Sequence, residues 1–229
     1  MSQHLFIAGT DTDVGKTVVT QILMQGLIQQ GHTVIGHKPI AAGAAMTARG
    51  LENDDALLIQ QAASMSLPYE QVNPIVFAEP IAPHIAAAKY QQPISLAALD
   101  AGLSMLAQYN SDFTFVEGAG GWRLPLGDDG FLSDWVIAQK MPVILVVGMK
   151  LGCLNHAMLT AQAILDDGLP LVGWVANTPS DSQQDFYQEN LAYLKQHIAA
   201  PMLAEIGYAS DPLAQGVRSL DLLPITDFS

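Results

Sequence analysis

The stretch GTDTDVGKT, residues 9–17, limits this chain more than any other. It follows a short apolar run, Leu5 to Ala8, and opens a segment in which Val19, Ile22, Leu23 and Leu27 recur at helical spacing. Strand, glycine loop and helix, in that order, is the setting of a phosphate-binding loop. Successive backbone N–H groups there point into one concavity, the helix N-terminus adds partial positive charge, and a lysine reaches the outer phosphates. Gly15, Lys16 and Thr17 stand in those places, and the Thr17 hydroxyl suits a Mg²⁺ ion that bridges phosphate oxygens. The general pattern has four residues between its glycines, whereas Gly9 and Gly15 have five, so that Thr10 takes the first glycine's place. An ordinary strand-to-helix turn would leave the GKT triplet unexplained.

Charge narrows the partners. With 22 acidic residues against 9 basic ones the formal net charge is −13, which argues against a nucleic-acid surface and against docking on anionic lipid, since both need clustered bases. An acidic protein that binds ATP must gather its few cations locally, and Lys16, Lys38 and Lys150 all fall near expected strand ends. The one cysteine, Cys153, excludes an intrachain disulfide and reads as a small buried residue. The N-terminus runs directly into a strand and no stretch has the length of a membrane span, so the expectation is a soluble cytoplasmic protein. The 229 residues suffice for one large α/β domain, and neither a repeat nor a linker divides them.

Further along, the spacing predicts a helix from Lys16 to Gln30 closed by Gly31, then a strand from Thr33 to His37 that delivers Lys38, Pro39 and a small-residue loop. Residues 46–93 are less regular, with a short helix at Asp54 to Ala63. Four prolines from Pro68 to Pro83 forbid a continuous helix there, and the segment reads as an extended excursion over the sheet's carboxyl edge. His84 in this segment is either a ligand or a hydrogen-bonded structural histidine, and the latter is favoured because no second histidine stands at metal-ligand spacing. A helix at Leu96 to Tyr109 precedes a strand from Phe113 to Val116, which ends on Glu117 and GAGG. An acid at the end of a buried strand is costly unless it faces a cation or donors. The apolar run Pro142 to Gly148 is a strand covered on both faces. A helix ending at Asp167, a strand from Leu171 to Ala176 before Asn177, a helix near Gln183 to His197 and the segment Pro201 to Ile206 continue the alternation.

This rhythm implies a doubly wound, mostly parallel α/β sheet with helices on both faces and ligands at the strands' carboxyl ends. Lys16, Lys38, Glu117, Lys150 and Asn177 all converge on that rim.

The combination GTDTDVGKT, HKPIAAG, FAEPIAPH, VEGAGGW, VILVVGMKLGCLNHA and GWVAN resembles the dethiobiotin synthetases over about residues 5–180. That family uses the loop with five intervening residues. The resemblance implies ATP-dependent ring closure of 7,8-diaminononanoate with CO₂, through a carbamate and a carbamic-phosphoric anhydride, with Mg²⁺. It implies catalytic roles for Lys16, Lys38 and Thr12, and a metal set of Thr17, Asp55 and Glu117. Asp55 is favoured over Asp54 because it precedes Ala56 and Leu57. Nucleotide contacts would come from residues 13–18 (Asp13, Val14, Gly15, Lys16, Thr17, Val18), from Asp55, from Glu117, Gly118, Ala119 and Gly120, and on the adenine side from Asn177, Thr178 and Gly207. Substrate contacts would come from Thr12, Lys38 and Ala42. In this family's homodimer the substrate's carboxylate end is received by the other subunit, here at Lys150, Leu151, Gly152 and Asn155. The turn read without the family is a plain helix start capped by Asn155. One departure is Ala42, where the family commonly has a serine, and Ala44 likewise replaces a hydroxyl.

Two nucleotide-binding rivals share the fold. A partitioning-type switch ATPase carries a second, earlier lysine in its loop, where this chain has Asp11, and needs a basic or amphipathic element. An amidotransferase of cobalamin assembly needs a further ammonia-producing domain. A further alternative is a paralogue, either with altered substrate or one that binds ATP but has lost turnover, and for the latter Ala42 is the only motive.

Overall fold

The computed structural model describes residues 2–128, 130–181 and 185–228. Seven strands make the main sheet: β1 (Gln3–Gly9), β2 (Val34–His37), β3 (Phe113–Glu117), β4 (Val143–Gly148), β5 (Leu171–Asn177), β6 (Met202–Ile206) and β7 (Val217–Leu220). Their spatial order is β7-β6-β5-β4-β1-β3-β2. Every neighbouring pair is parallel except β6 with β7. From β1 the chain goes to the edge strand β2, returns to β3 beside β1, then crosses to β4 on the other side of β1 and runs outward to β7, so the strand order reverses beside β1. In open parallel sheets ligands bind outside the carboxyl ends at such a reversal.

All residues of β2, β3, β4 and β5 are buried. Successive side chains of a strand point to opposite faces, so both faces of the sheet are covered. The first helix, α1 (Lys16–Gln29), packs on β1, β2 and β3. It is buried more widely than one apolar stripe implies, because α2 (Asp54–Ala62) and the chain's C-terminal segment cover its outer side. Gly26 marks that second contact: a Cβ there would lie 2.8 Å from Leu222 Cδ1. The acidic C-terminal segment is therefore structural in part, adding β7 to the sheet edge and Leu222 to the core.

Between β2 and β3 lie α3 (Tyr69–Val72), α4 (Pro83–Tyr90) and α5 (Leu96–Met105), the last followed by a 3₁₀ turn to Tyr109. The proline-rich stretch is indeed no continuous helix. It nevertheless contains a short strand, Ile75–Val76, paired with Ile40–Ala41, and Pro83 starts α4 instead of breaking it. At the first helical position the missing N–H costs nothing. A hairpin of Ala45–Thr47 with Gly50–Glu52 and the helix α6 (Leu132–Ala138) were not foreseen. Beyond β4 come α7 (Cys153–Asp166), α8 (Tyr187–His197) and α9 (Leu223–Thr226). The start expected for α8 at Gln183 lies outside the described residues. Gly168 follows α7 with φ +76°, as a helix end favours. Cys153 is buried. No helix among the described residues is long and apolar enough to cross a membrane.

Candidate functional site

Glu117 and Asn177 are the last residues of β3 and β5, Lys38 follows β2 directly, and the loop after β1 leads into Lys16 and Thr17 at the start of α1, because a parallel βα unit must turn at the strand's carboxyl end. The loop after β1 makes its turn with two left-handed residues, Asp13 at φ 57° and Gly15 at φ 83°. Gly15 has a second reason to lack a side chain: a Cβ would meet Asn177 Nδ2 at 2.2 Å. Asn177, at the end of β5, donates that Nδ2 proton to the carbonyl of Val14 at 2.7 Å and so holds the loop from the far side.

Lys16 Nζ donates to the carbonyls of Asp11 (3.1 Å) and Gly120 (2.7 Å), so the ammonium lies across the loop's concavity. Burial lowers its pKa to about 8, with Lys38 pushing the same way and Glu117 opposing. The neighbouring Thr17 hydroxyl donates to Glu117 Oε1 at 2.8 Å.

Glu117 is 0 % exposed. A buried carboxylate needs charge and donors, and here it has both. Lys38 Nζ donates to Oε1 at 2.6 Å, and Thr20 Oγ1 lies 2.7 Å from Oε2. Lys38 also reaches Asp55 Oδ2 at 3.3 Å. Burial works against the Lys38 charge, yet Glu117 and Asp55 outweigh it and raise its pKa. Asp55 lies in the first turn of α2, whose N-cap Asn53 accepts a hydrogen bond from Ala56 N.

Lys16, Thr17, Lys38, Asp55 and Glu117 line one cleft of about 690 Å³ together with Thr12, Ala42, Ala119 and Pro80. It brings together Thr12, Asp13, Gly15, Lys16, Thr17, Val18, Lys38, Ala42, Asp55, Glu117, Ala119 and Gly120 of the expected residues. Val14 is buried behind the loop, and Gly118 packs against Phe6. Thr178 lines a second cavity of about 690 Å³, with Tyr187 and Arg218, and Gly207 lies against Arg218 and donates its N–H to the Gly216 carbonyl. Lys150, Leu151, Gly152 and Asn155 line neither. Lys150 pairs with Asp11 at 3.0 Å and Leu151 is 94 % exposed. Gly152, not Asn155, caps α7: with φ 93° it makes the turn that an asparagine two residues into the helix cannot. His84 Nδ1 is buried without a hydrogen-bond partner among the described residues, so that nitrogen does not make the hydrogen bond expected of a structural histidine; no group of three or more His, Cys, Asp or Glu that could hold a metal ion occurs among the described residues.

Two participants escaped the sequence reading. Thr20 follows Thr17 by three residues and therefore shares its helix face, which is a legible signal. Asn53 lines the cleft and donates Nδ2 to the Ala42 carbonyl at 3.2 Å, a contact between separate segments that spacing alone does not reveal.

The family model described as an AAA domain matches residues 3–213. The ATP-dependent dethiobiotin synthetase of Aeromonas salmonicida is 50% identical over 226 residues, covering 98% of this chain and 100% of that protein. That of Escherichia coli strain K12 is 47% identical over 213 residues, covering 92% and 93%. The chain belongs to the ATP-dependent dethiobiotin synthetase family. A more distant likeness, to the cell division protein ftsY of Thermotoga maritima, has a TM-score of 0.51 at 12% identity, with 99% of this chain and 68% of that chain covered. It shows the shared fold.

Proposed function

We propose that this chain joins CO₂ to 7,8-diaminononanoate and closes the cyclic urea of dethiobiotin at the expense of ATP. The observation that carries the reading is the cleft in which Lys16 and Lys38 face one cavity. A carbamate and a γ-phosphate are both anionic, and holding them in line requires cations fixed in advance.

One amine of the substrate adds CO₂ to give the carbamate. Its oxygen attacks the γ-phosphorus, the bond to the bridging oxygen breaks, and ADP departs. The second amine then attacks the carbonyl of the mixed anhydride, expels phosphate and closes the ring. Lys16 neutralises the outer phosphates, Lys38 holds the carbamate oxygen against the phosphorus, and the Thr12 hydroxyl supplies a donor at the same wall. The depressed pKa of Lys16 is an adaptation to burial that phosphate charge reverses.

The oxygens present fit Mg²⁺: two carboxylates, Asp55 and Glu117, and the Thr17 hydroxyl are hard donors. Lys38 bridging both carboxylates indicates a pocket shaped for positive charge. When bound there, Mg²⁺ would neutralise charge on the β- and γ-phosphates.

The adenine is assigned to the side of Asn177, Thr178 and Gly207, next to the second cavity. The carboxylate end of the diamine is assigned to the turn 150–155 of a second subunit in a homodimer. Backbone N–H groups at the start of the 14-residue α7 suit a carboxylate, and this turn does not line the cleft of its own chain. A single α/β domain acting in the cytoplasm, without nucleic acid or membrane, completes the proposal. The switch alternative is disfavoured by position 11, where Asp11 meets Lys150 and a lysine would meet a like charge.

The test is ADP release by the purified protein with Mg²⁺ and ATP. Release that requires both the diamine and bicarbonate is the expected result. Equal release without the diamine would indicate a switch ATPase instead.

A further inference from the structure

We propose that Tyr69 and Asn73 are positioning residues for this reaction: a hydrogen-bond chain through them fixes the end of β2, which carries Lys38, against the start of α2, which carries Asp55. The proposal rests on the roles given above to Lys38 and Asp55.

β2 is the edge strand of the sheet. One side of it therefore lacks a strand to hold it, and Lys38 lies one residue past its end. Both backbone polar groups of Lys38 are taken up from that open side. Its N–H donates to the Val72 carbonyl at 2.7 Å, and its carbonyl accepts from Asn73 Nδ2 at 2.6 Å. The short α3 and the residue after it thus replace the missing strand.

From Asn73 the chain continues to α2. Tyr69 donates its hydroxyl proton to Asn73 Oδ1 at 2.9 Å and accepts the backbone N–H of Asn53 at 2.7 Å. Asn53 in turn caps α2 and ties down the carbonyl of Ala42. One phenolic oxygen consequently joins the lysine's strand end, the helix that presents Asp55, and the loop on the cleft wall.

The chain has only one consistent polarity. Asn73 Nδ2 faces two carbonyls, those of Lys38 and Ile75, while Oδ1 faces the hydroxyl. That fixes the carboxamide orientation and leaves the phenol as donor to it. Asn73 is buried, and burial raises the Tyr69 pKa, so the proton stays on the oxygen. Neither side chain reaches the substrate cleft. Both line a smaller cavity of about 410 Å³ instead, so they act through Lys38 and Asp55.

The distance at stake is the 3.3 Å between Lys38 Nζ and Asp55 Oδ2. The two groups stand on different elements, and the Tyr69–Asn73 chain is a direct polar link between those elements on the side away from the cleft.

Tyr69→Phe removes the oxygen and both its bonds while keeping the ring. The expected result is a kcat lower by about tenfold, the effect of one buried donor left unpaired, with KM for ATP within about twofold of the parent. The Mg²⁺ concentration for half-maximal rate should rise. In an Asp55→Asn background the same substitution should cost little more, because both changes disturb one unit. Asn73→Ala, which frees the Lys38 carbonyl, should give the same pattern and serves if Tyr69→Phe does not fold. A parental kcat and Mg²⁺ dependence in these variants, with only the melting temperature lowered, would overturn the proposal. If Lys38→Met and Asp55→Asn themselves kept the parental rate, the reading of the site would fall, and this inference with it.

Discussion

Two ion pairs stand on the same rim of the sheet and differ in almost everything but charge. Lys38 and Glu117 have side chains 5 % and 0 % exposed and meet at 2.6 Å, with Thr17 and Thr20 on the remaining lone pairs. Lys150 and Asp11 are 47 % and 45 % exposed and meet at 3.0 Å. Water screens the second pair, and pairs of that kind contribute little. The first has given up its hydration and holds only because every oxygen is satisfied, so removal of one partner leaves a charge in a dry place. Preorganised charge of the first kind can act on a reacting anion without reorganising. The second kind tunes an edge.

The comparison can be broken most forcefully at its buried member. Glu117→Gln should destabilise the protein by about 3 kcal/mol, since Lys38 then keeps only the half-exposed Asp55 as counter-charge. Chemical denaturation measures this, and a loss like that of a surface pair would place Glu117 among ordinary rim acids.

Lys16 gives a pH-dependent version. Its pKa in the fold is about 8, below the ordinary 10.5, so between those values the unfolded chain binds more protons than the folded one. Stability from this group therefore rises with pH across that window, and charged Lys16 costs stability below it. Lys16→Met should raise the melting temperature at pH 7, and the gain should shrink as pH rises from 8 towards 10.5. A gain independent of pH would mean that the ammonium is well solvated.

The smallest effect belongs to the exposed pair. Lys150→Ala should change stability by less than about 1 kcal/mol, while KM for the diamine rises and KM for ATP does not. An equal rise in both would remove Lys150 from the substrate end.

Much of this contrast was legible in the sequence. The strands β1, β3, β4 and β5 announce themselves by apolar runs that lead into the loop before Lys16, into Glu117, towards Lys150 and into Asn177, because a strand covered on both faces has to be apolar throughout. The hairpin at 45–52 was invisible, since Ala45–Thr47 is exposed and has no alternation to read. α4 was hidden by its own proline, which starts the helix. The C-terminal segment owes its place to Leu222 against Gly26, a contact between residues far apart in the chain. Asn53, Tyr69 and Asn73 were missed for the same reason: each is an ordinary polar residue until three elements meet.

The central claim is that a buried Lys38 drives the meeting of two anions, and the direct measurement is single-turnover phosphoryl transfer in Lys38→Met beside its ATP affinity. The account predicts a rate lower by about a thousandfold with ATP affinity within about threefold of the parent. A rate within about tenfold of the parent, in protein that still binds ATP and diamine, would contradict it.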